Sequence, residues 1–241
     1  MVKRAVFVNM GFDPTAALEI ISALSLSSND LLIVVYPKPI EEISRLRSEQ
    51  ARSQIKNYVN TLRATGREIG FKELDLDLVE MSNAIERLIE TMIEVKKDGF
   101  YVYFELTGGV RAITVIMSLL SMWYPSLVDE ITYVVEVTRE RCNIPVLSPA
   151  QLSSRAAARV LAFIADRKHV KRKDICKELG VSESYVSRSI SSLKKYGLVE
   201  ERLRVVSLNV RFTNYIPIFR RLTEILSNNE RFDANLSDKE D

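Results

Sequence analysis

Apolar and polar positions divide the chain into two regions of different period. Up to about residue 137, compact apolar runs alternate with stretches of helical spacing. RAVFVN (4–9), LLIVVY (31–36), FKELDLD (71–77), FYVYFE (100–105) and EITYVVEV (130–137) read as strands. Three of them are near-continuous in valine, isoleucine and aromatics, the signature of strands covered on both faces. Between them, residues 14–27, 40–64, 84–97 and 110–123 read as helices, the 40–64 segment long and polar with Ile43, Leu46, Ile55, Tyr58, Val59 and Leu62 as a partial stripe. This alternation predicts an α/β fold, a Rossmann-like, mostly parallel sheet with helices on both faces.

From Ser154 the pattern changes to short helices. Residues 154–167, 171–180 and 181–197 give three, with Ile175 and Leu179 on one face of the second and Val186, Ile190 and Leu193 on one face of the third. Gly180 suits the left-handed turn between the last two, and Ser182 is a ready N-cap. LVEERLRVVSLN (198–209) reads as a two-stranded wing, so this is a smaller winged helix-turn-helix domain. Ile216, Phe219, Leu222, Ile225 and Leu226 recur at helical spacing over 213–226, a helix for dimerisation or a lid on the winged domain, with dimerisation preferred. The polar, finally acidic stretch 228–241 is expected to be disordered. The predicted partition is 1–148, 149–212, 213–227 and 228–241.

Charge sharpens this division. The 241 residues carry a net +2, but residues 1–150 hold 16 Lys+Arg against 20 Asp+Glu, and residues 151–212 hold 14 against 6. A net +8 on the winged segment is the footprint of a phosphate-backbone binder. The third helix offers Ser184, Tyr185, Ser187, Arg188 and Ser191 with Ser182 at its start, small polar groups that let a helix enter the major groove beside an arginine that matches guanine. Lys171, Arg172, Lys173, Lys194, Lys195 and, at the wing, Arg202 and Arg204 read as phosphate contacts. The alternative is a basic helical domain for protein contacts.

The apolar run 112–124 is too short to span a bilayer, and no signal-peptide pattern opens the chain, so a cytoplasmic protein without a membrane partner is expected. Cys142 and Cys176 match no metal spacing and read as reduced structural thiols. Asp75 and Asp77 alternate on a strand and should face solvent, with no third ligand to complete a metal site. Histidine, the usual general acid–base, occurs only as His169 in the basic segment, and neither GxxxxGK[ST] nor GxGxxG is present. No cofactor is predicted.

Ligands of open α/β sheets sit beyond the carboxyl ends of the strands, where helix N-termini face anions. Two corners meet that rule. In the first, Asn9, Met10, Gly11, Phe12 and Asp13 precede Pro14, with Asp13 a candidate N-cap and Pro14 the first helical position. In the second, Thr107, Gly108, Gly109 and Arg111 supply a hydroxyl, two flexible backbone positions and a guanidinium. From local pattern alone the second corner is either a tight turn or an anion site.

ELGVSESYVSRSISSLKKYGLVEE resembles the winged helix-turn-helix of regulators of the multiple-antibiotic-resistance (MarR-like) type, through Gly180, Ser182, Val186, Ser187, Arg188, Leu193, Gly197 and Leu198. With NMGFDP and ELTGGVRAIT upstream, the chain is similar to archaeal CRISPR-associated regulators carrying a CRISPR-associated Rossmann-like (CARF) sensor domain. The resemblance implies a homodimer that binds double-stranded DNA, controls CRISPR genes and holds a cyclic oligonucleotide, most often cyclic tetra-adenylate, across its twofold axis. Some relatives cleave that ligand through a serine or threonine at the first corner; Asn9 and Asp13 stand there here, so binding without turnover is expected. The rival readings are a ring nuclease or effector ribonuclease, and a non-enzymatic module that recruits other CRISPR proteins.

Overall fold

The computed structural model describes residues 2–39, 41–144, 146 and 155–221. The chain forms two compact units, Met1–Val146 and Leu147–Asp241.

In the first unit a six-stranded sheet has the order β3-β2-β1-β4-β5-β6. Its strands are β1 (Arg4–Asn9), β2 (Leu31–Pro37), β3 (Gly70–Leu76), β4 (Tyr101–Glu105), β5 (Glu130–Val134) and β6 (Arg141–Ile144). The first five are parallel, and β6 pairs antiparallel with β5. Successive residues of β1 and β2 enter opposite cores, which is why these strands read as unbroken apolar runs. Phe7, Ile33, Val35 and Phe104 pack under α3 (Met81–Lys97) and α4 (Arg111–Trp123). Val6, Val8, Val34 and Tyr36 pack under α1 (Thr15–Ala23) and α2 (Glu42–Ala64). Strand order reverses between β1 and β4, so the sheet has its topological switch point there, and the two glycine corners leave these same two strands.

Several element bounds differ from the sequence reading for identifiable reasons. The first helix ends at Ala23, not residue 27, because Ser25 takes a left-handed φ of 47°. The last predicted strand of the first unit, 130–137, is a hairpin: β5 stops at Val134, a turn closes through Val135 N–H to the Glu140 carbonyl (2.9 Å), and β6 returns. Neither Asp75 nor Asp77 is free. Arg52 pairs with Asp75, while Asp77 pairs with Lys38 at 2.9 Å and accepts the Val79 amide at 3.1 Å. Among the described residues no cluster is suited to a metal ion, and no helix is long and apolar enough to cross a membrane.

The second unit packs α5 (Arg155–Arg167), α6 (Arg172–Leu179) and α7 (Glu183–Lys195) around Val160, Leu161, Ile164, Ile175, Val186, Ile190 and Leu193. Gly180 ends α6 at φ 62°, ψ 37°, and the Ser182 hydroxyl caps α7 by accepting the Tyr185 amide at 3.2 Å. The wing is three-stranded instead of two: β7 (His169–Lys171) pairs with β9 (Val205–Leu208), which pairs with β8 (Val199–Arg202). Lys171 therefore lies on a strand and not in the second helix. Between β8 and β9 only Leu203 and Arg204 make the turn, at φ 51° and 64°. Two-residue hairpins favour glycine or asparagine at such angles, and side chains with a Cβ are disfavoured there by about 1–2 kcal/mol per residue.

A 3₁₀ helix, Val210–Tyr215, leads into the terminal helical segment, whose Ile216 and Phe219 pack on the winged domain's own core. Leu222, Ile225, Leu226 and the tail 228–241 lie outside the described residues, as does Ser154.

Candidate functional site

The two predicted corners interlock. Asn9, 1% exposed at the end of β1, donates from Nδ2 to the Gly108 carbonyl (3.1 Å), the Val110 carbonyl (3.0 Å) and Thr114 Oγ1 (2.7 Å), and its Oδ1 accepts the Val110 amide (3.1 Å). One amide side chain thus fixes the backbone of the other corner, about a hundred residues away in sequence. Gly108 and Gly109 hold φ of 68° and 69°. A Cβ on Gly109 would stand 2.4 Å from Asn9 Cγ, so glycine is required there by contact as well as by conformation. Gly11 faces the same backbone, its added Cβ falling 3.5 Å from Gly109 Cα. The glycine pair is therefore the meeting point of both switch-point loops.

Which predicted groups remain open is decided by these contacts. Gly108, Gly109 and Arg111 are exposed, and the side chain of Arg111, the first residue of α4, makes no hydrogen bond or ion pair among the described residues. Its helix has no side-chain cap and no acidic residue in the first turn, so its positive end is uncompensated. Phe12 is 43% exposed. The other predicted residues have different roles. Met10 is wholly buried in the core and offers no side chain to a ligand. Asp13 Oδ1 accepts the Thr15 amide at 2.9 Å, which holds its carboxyl below the usual range and fills the α1 N-terminus with a negative charge. Pro14, not Asp13, is the residue before the first helical position. Asn9 is a strut.

Thr107 is engaged too, by a residue that the sequence reading missed. Glu105, 0% exposed, accepts the Thr107 amide (3.1 Å) and hydroxyl through Oε1, and the Thr132 hydroxyl (2.9 Å) through Oε2, with Arg141 Nε at 3.7 Å. Thr107 Oγ1 in turn accepts the Val134 amide at 2.7 Å. Because Thr132 gives its proton to Glu105, Tyr103 must donate in the Tyr103–Thr132 bond. Burial first, then the nearby Glu105 charge, raises the pKa of that phenol and keeps it protonated. The only sequence signal for this network was a glutamate closing an otherwise apolar strand.

On the winged domain, Ser184, Arg188, Ser191, Lys171, Lys173, Lys195, Arg202 and Arg204 are exposed, as a DNA-facing set must be. Ser182 is the α7 cap, Tyr185 packs against the core, and Ser187 is half-buried. Arg172 and Lys194 differ from the free phosphate contacts expected. Arg172 forms a two-pronged pair with Glu201 (Nε to Oε1 2.6 Å, Nη2 to Oε2 2.8 Å) and reaches Ser187 Oγ at 3.3 Å, while Lys194 Nζ lies 3.1 Å from Glu201 Oε2. The Arg172 hydrogen bond is the largest cause that brings the Glu201 carboxyl down to about 2. Glu201 thereby ties α6, α7 and the wing together.

Residues 4–145 match the family described as the Csa3 CRISPR-associated Rossmann-like domain, and residues 152–204 match the MarR family. A CRISPR locus-related candidate DNA-binding protein, Csa3, of Saccharolobus solfataricus is 26% identical over 239 residues, covering 94% of this chain and 93% of that protein. Among solved structures, Enterococcus italicus Csm6 bound to cyclic hexa-2'-fluoro-hexa-dAMP is alike in fold, with a TM-score of 0.51 at 9% identity over 96% of this chain and 56% of that one. Protein VC1899 of Vibrio cholerae aligns with 91% of this chain and 66% of its own, at 14% identity and a TM-score of 0.40. The chain thus spans less than two thirds of either solved relative.

Two outcomes are expected from this geometry. Gly109→Ala should destabilise the first unit by about 2–4 kcal/mol, combining left-handed strain with overpacking against Asn9. Gly66→Ala, at φ 87° with nothing within 4 Å of its Cβ, should lose only the strain; urea denaturation of both variants compares them. Glu201, its carboxyl depressed in the fold, contributes stability above its ordinary pKa near 4.5 that is lost as pH falls toward 2. Allowing for the partly exposed arginine, Glu201→Gln should remove about 1–2 kcal/mol at pH 7 and flatten the fall in thermal midpoint between pH 5 and pH 2, measured by circular dichroism.

Proposed function

This chain belongs to the family of the Csa3 CRISPR-associated Rossmann-like domain, and from that premise we propose that it is a ligand-responsive transcriptional regulator of CRISPR-associated genes. It binds DNA through the MarR-like winged helix as a homodimer, and its sensor domains hold a cyclic oligoadenylate, cyclic tetra-adenylate by resemblance, at their shared interface.

The observation that carries this reading is the course of α4. The helix begins at the open Gly108–Gly109–Arg111 corner, and beyond Arg111 its outer face is apolar: Val115, Leu119, Met122 and Trp123 are 56, 37, 42 and 57% exposed. A second copy laid against that face removes the apolar surface from water and brings a second Arg111 corner beside the first. The paired corners supply two guanidiniums, two uncapped helix ends and exposed glycine backbone, groups that suit a ring of phosphodiesters. Asp13 fills the α1 terminus, so the anion is drawn to the α4 side of the cleft. Binding without turnover also fits these contacts. The Thr107 hydroxyl already donates to Glu105 and accepts from Val134, and the Asn9 amide is fully engaged. Neither is free to act as nucleophile or base.

At the DNA end, α7 presents Ser184, Arg188 and Ser191 for base edges, with Lys171, Lys173 and Lys195 for phosphates. A dimer places two such helices about 34 Å apart, one turn of the duplex. The ligand alters DNA affinity through unequal binding to two dimer geometries.

A gel-shift assay on upstream regions of CRISPR-associated genes, with and without cyclic tetra-adenylate, tests target, ligand and coupling together; an unchanged shift at saturating ligand overturns the regulatory reading, and rapid linear products favour a ring nuclease. Arg111→Ala should weaken ligand binding by about tenfold or more, consistent with the loss of a charged contact, while ligand-free DNA binding persists; calorimetry and gel shift read the two separately. Leu119→Lys should yield a folded monomer by light scattering that has lost ligand binding, and a variant that stays dimeric removes α4 from the interface.

A further inference from the structure

The wing turn carries strain for which the fold offers no counterpart. Among the described residues, Leu203 and Arg204 are the only consecutive non-glycine pair with positive φ. Strained backbone of this sort persists where surrounding contacts hold it, or where the strain serves a bound state. No surrounding contact holds Leu203, which is 99% exposed, the most exposed of the large apolar side chains described. Asparagine or glycine would make the same turn with less strain, so a leucine here is not a requirement of the turn. In the chain it stands between Arg202, 89% exposed at its side chain and 3.8 Å from Glu200, and the exposed Arg204. An apolar group between two arginines at the tip of a hairpin only four residues long on each strand has the chemistry of a minor-groove wedge. The arginines suit the negative potential of a narrow groove, and a leucine can enter between two base pairs and unstack them.

We infer that Leu203 is a DNA-contacting residue, an apolar wedge that inserts at a base step in the minor groove while Arg202 and Arg204 hold the groove walls, so that the wing bends its site. This rests on the DNA-binding reading above. It adds shape readout at base pairs that α7 does not touch, because steps that unstack with least energy, pyrimidine–purine steps above all, accept the wedge most readily.

The test uses the full chain and the CRISPR-gene upstream duplex that it shifts most tightly, labelled at both ends for energy transfer. Leu203→Asn and Leu203→Gly tolerate the left-handed turn and should raise or preserve the thermal midpoint, yet bind that duplex about tenfold more weakly and bend it less. Their salt slopes should match wild type, since no phosphate contact has been removed. Leu203→Met, keeping an apolar wedge, should retain affinity and bend. The inference is overturned if Leu203→Asn binds and bends the duplex as wild type does, or if the wild-type complex is unbent. Absence of any salt-dependent DNA binding by wild type would instead overturn the proposed function beneath it.

Discussion

The Rossmann-like half depends on one buried amide. Asn9 closes β1 and, through its side chain, holds the Gly108–Val110 backbone that follows β4. β1 and β4 are neighbours in the sheet although 91 residues lie between Asn9 and Tyr101, and a loop after each strand must share the mouth of a single switch point. A hydrophobic side chain at position 9 would leave the Gly108 and Val110 carbonyls and the Val110 amide without their partner at this part-buried corner. A larger residue at position 109 would push the corners apart. Both requirements are local, but what they secure is global, because the open end of α4 is aimed by the segment that Asn9 holds.

A second layer of polar contacts extends this hold across the sheet. Glu105 fixes Thr107 on one side and Thr132 on β5 on the other, and Arg141 on β6 stands against the same carboxylate. Buried carboxylates persist when hydrogen bonds and a cation surround them, and here they do. The short hairpin strand β6 is therefore more than an edge. It brings the countercharge that a carboxylate at the root of the corner needs, and any displacement of Thr107 is felt at Val134 through its hydroxyl.

Much of the architecture was legible in the sequence because it rests on period and composition. The parallel strands read as apolar runs, the third winged-domain helix announced itself through Ser182 and Gly180, and both switch-point corners could be found from glycine placement. Elements that lack such a signal were not legible. β7 has three residues with a single apolar one, and β6, RCNI, has no alternation to distinguish it from the turn before it. Roles set by distant partners were hidden more deeply. Nothing local to Asn9, Glu105 or Glu201 marks the first as a strut, the second as the root of a network or the third as the mate of Arg172, which lies 29 residues away. Charge counting read Arg172 and Lys194 as phosphate contacts for that reason, blind to their pairing with Glu201.

The winged half treats positive charge in two ways, and the contrast bears on how it reads DNA. Arg172 and Lys194 face Glu201, so that carboxylate offsets one of their two charges and fixes the guanidinium beside Ser187 of the recognition helix. Lys171, Lys173, Lys195 and Arg204 are exposed, and Arg202, also exposed, lies 3.8 Å from Glu200. Flexible, hydrated cations contribute affinity for any duplex, and that contribution fades with salt. A guanidinium clamped between wing and helix contributes register, because it holds α7 at one attitude to β8 before DNA arrives. Discrimination between sequences requires that the recognition helix enter the groove at a defined angle, and free cations cannot supply that angle. The ionic node at Glu201 therefore gives up some general attraction to phosphate while fixing the attitude of α7, the helix proposed to present Arg188, Ser184 and Ser191 to the bases.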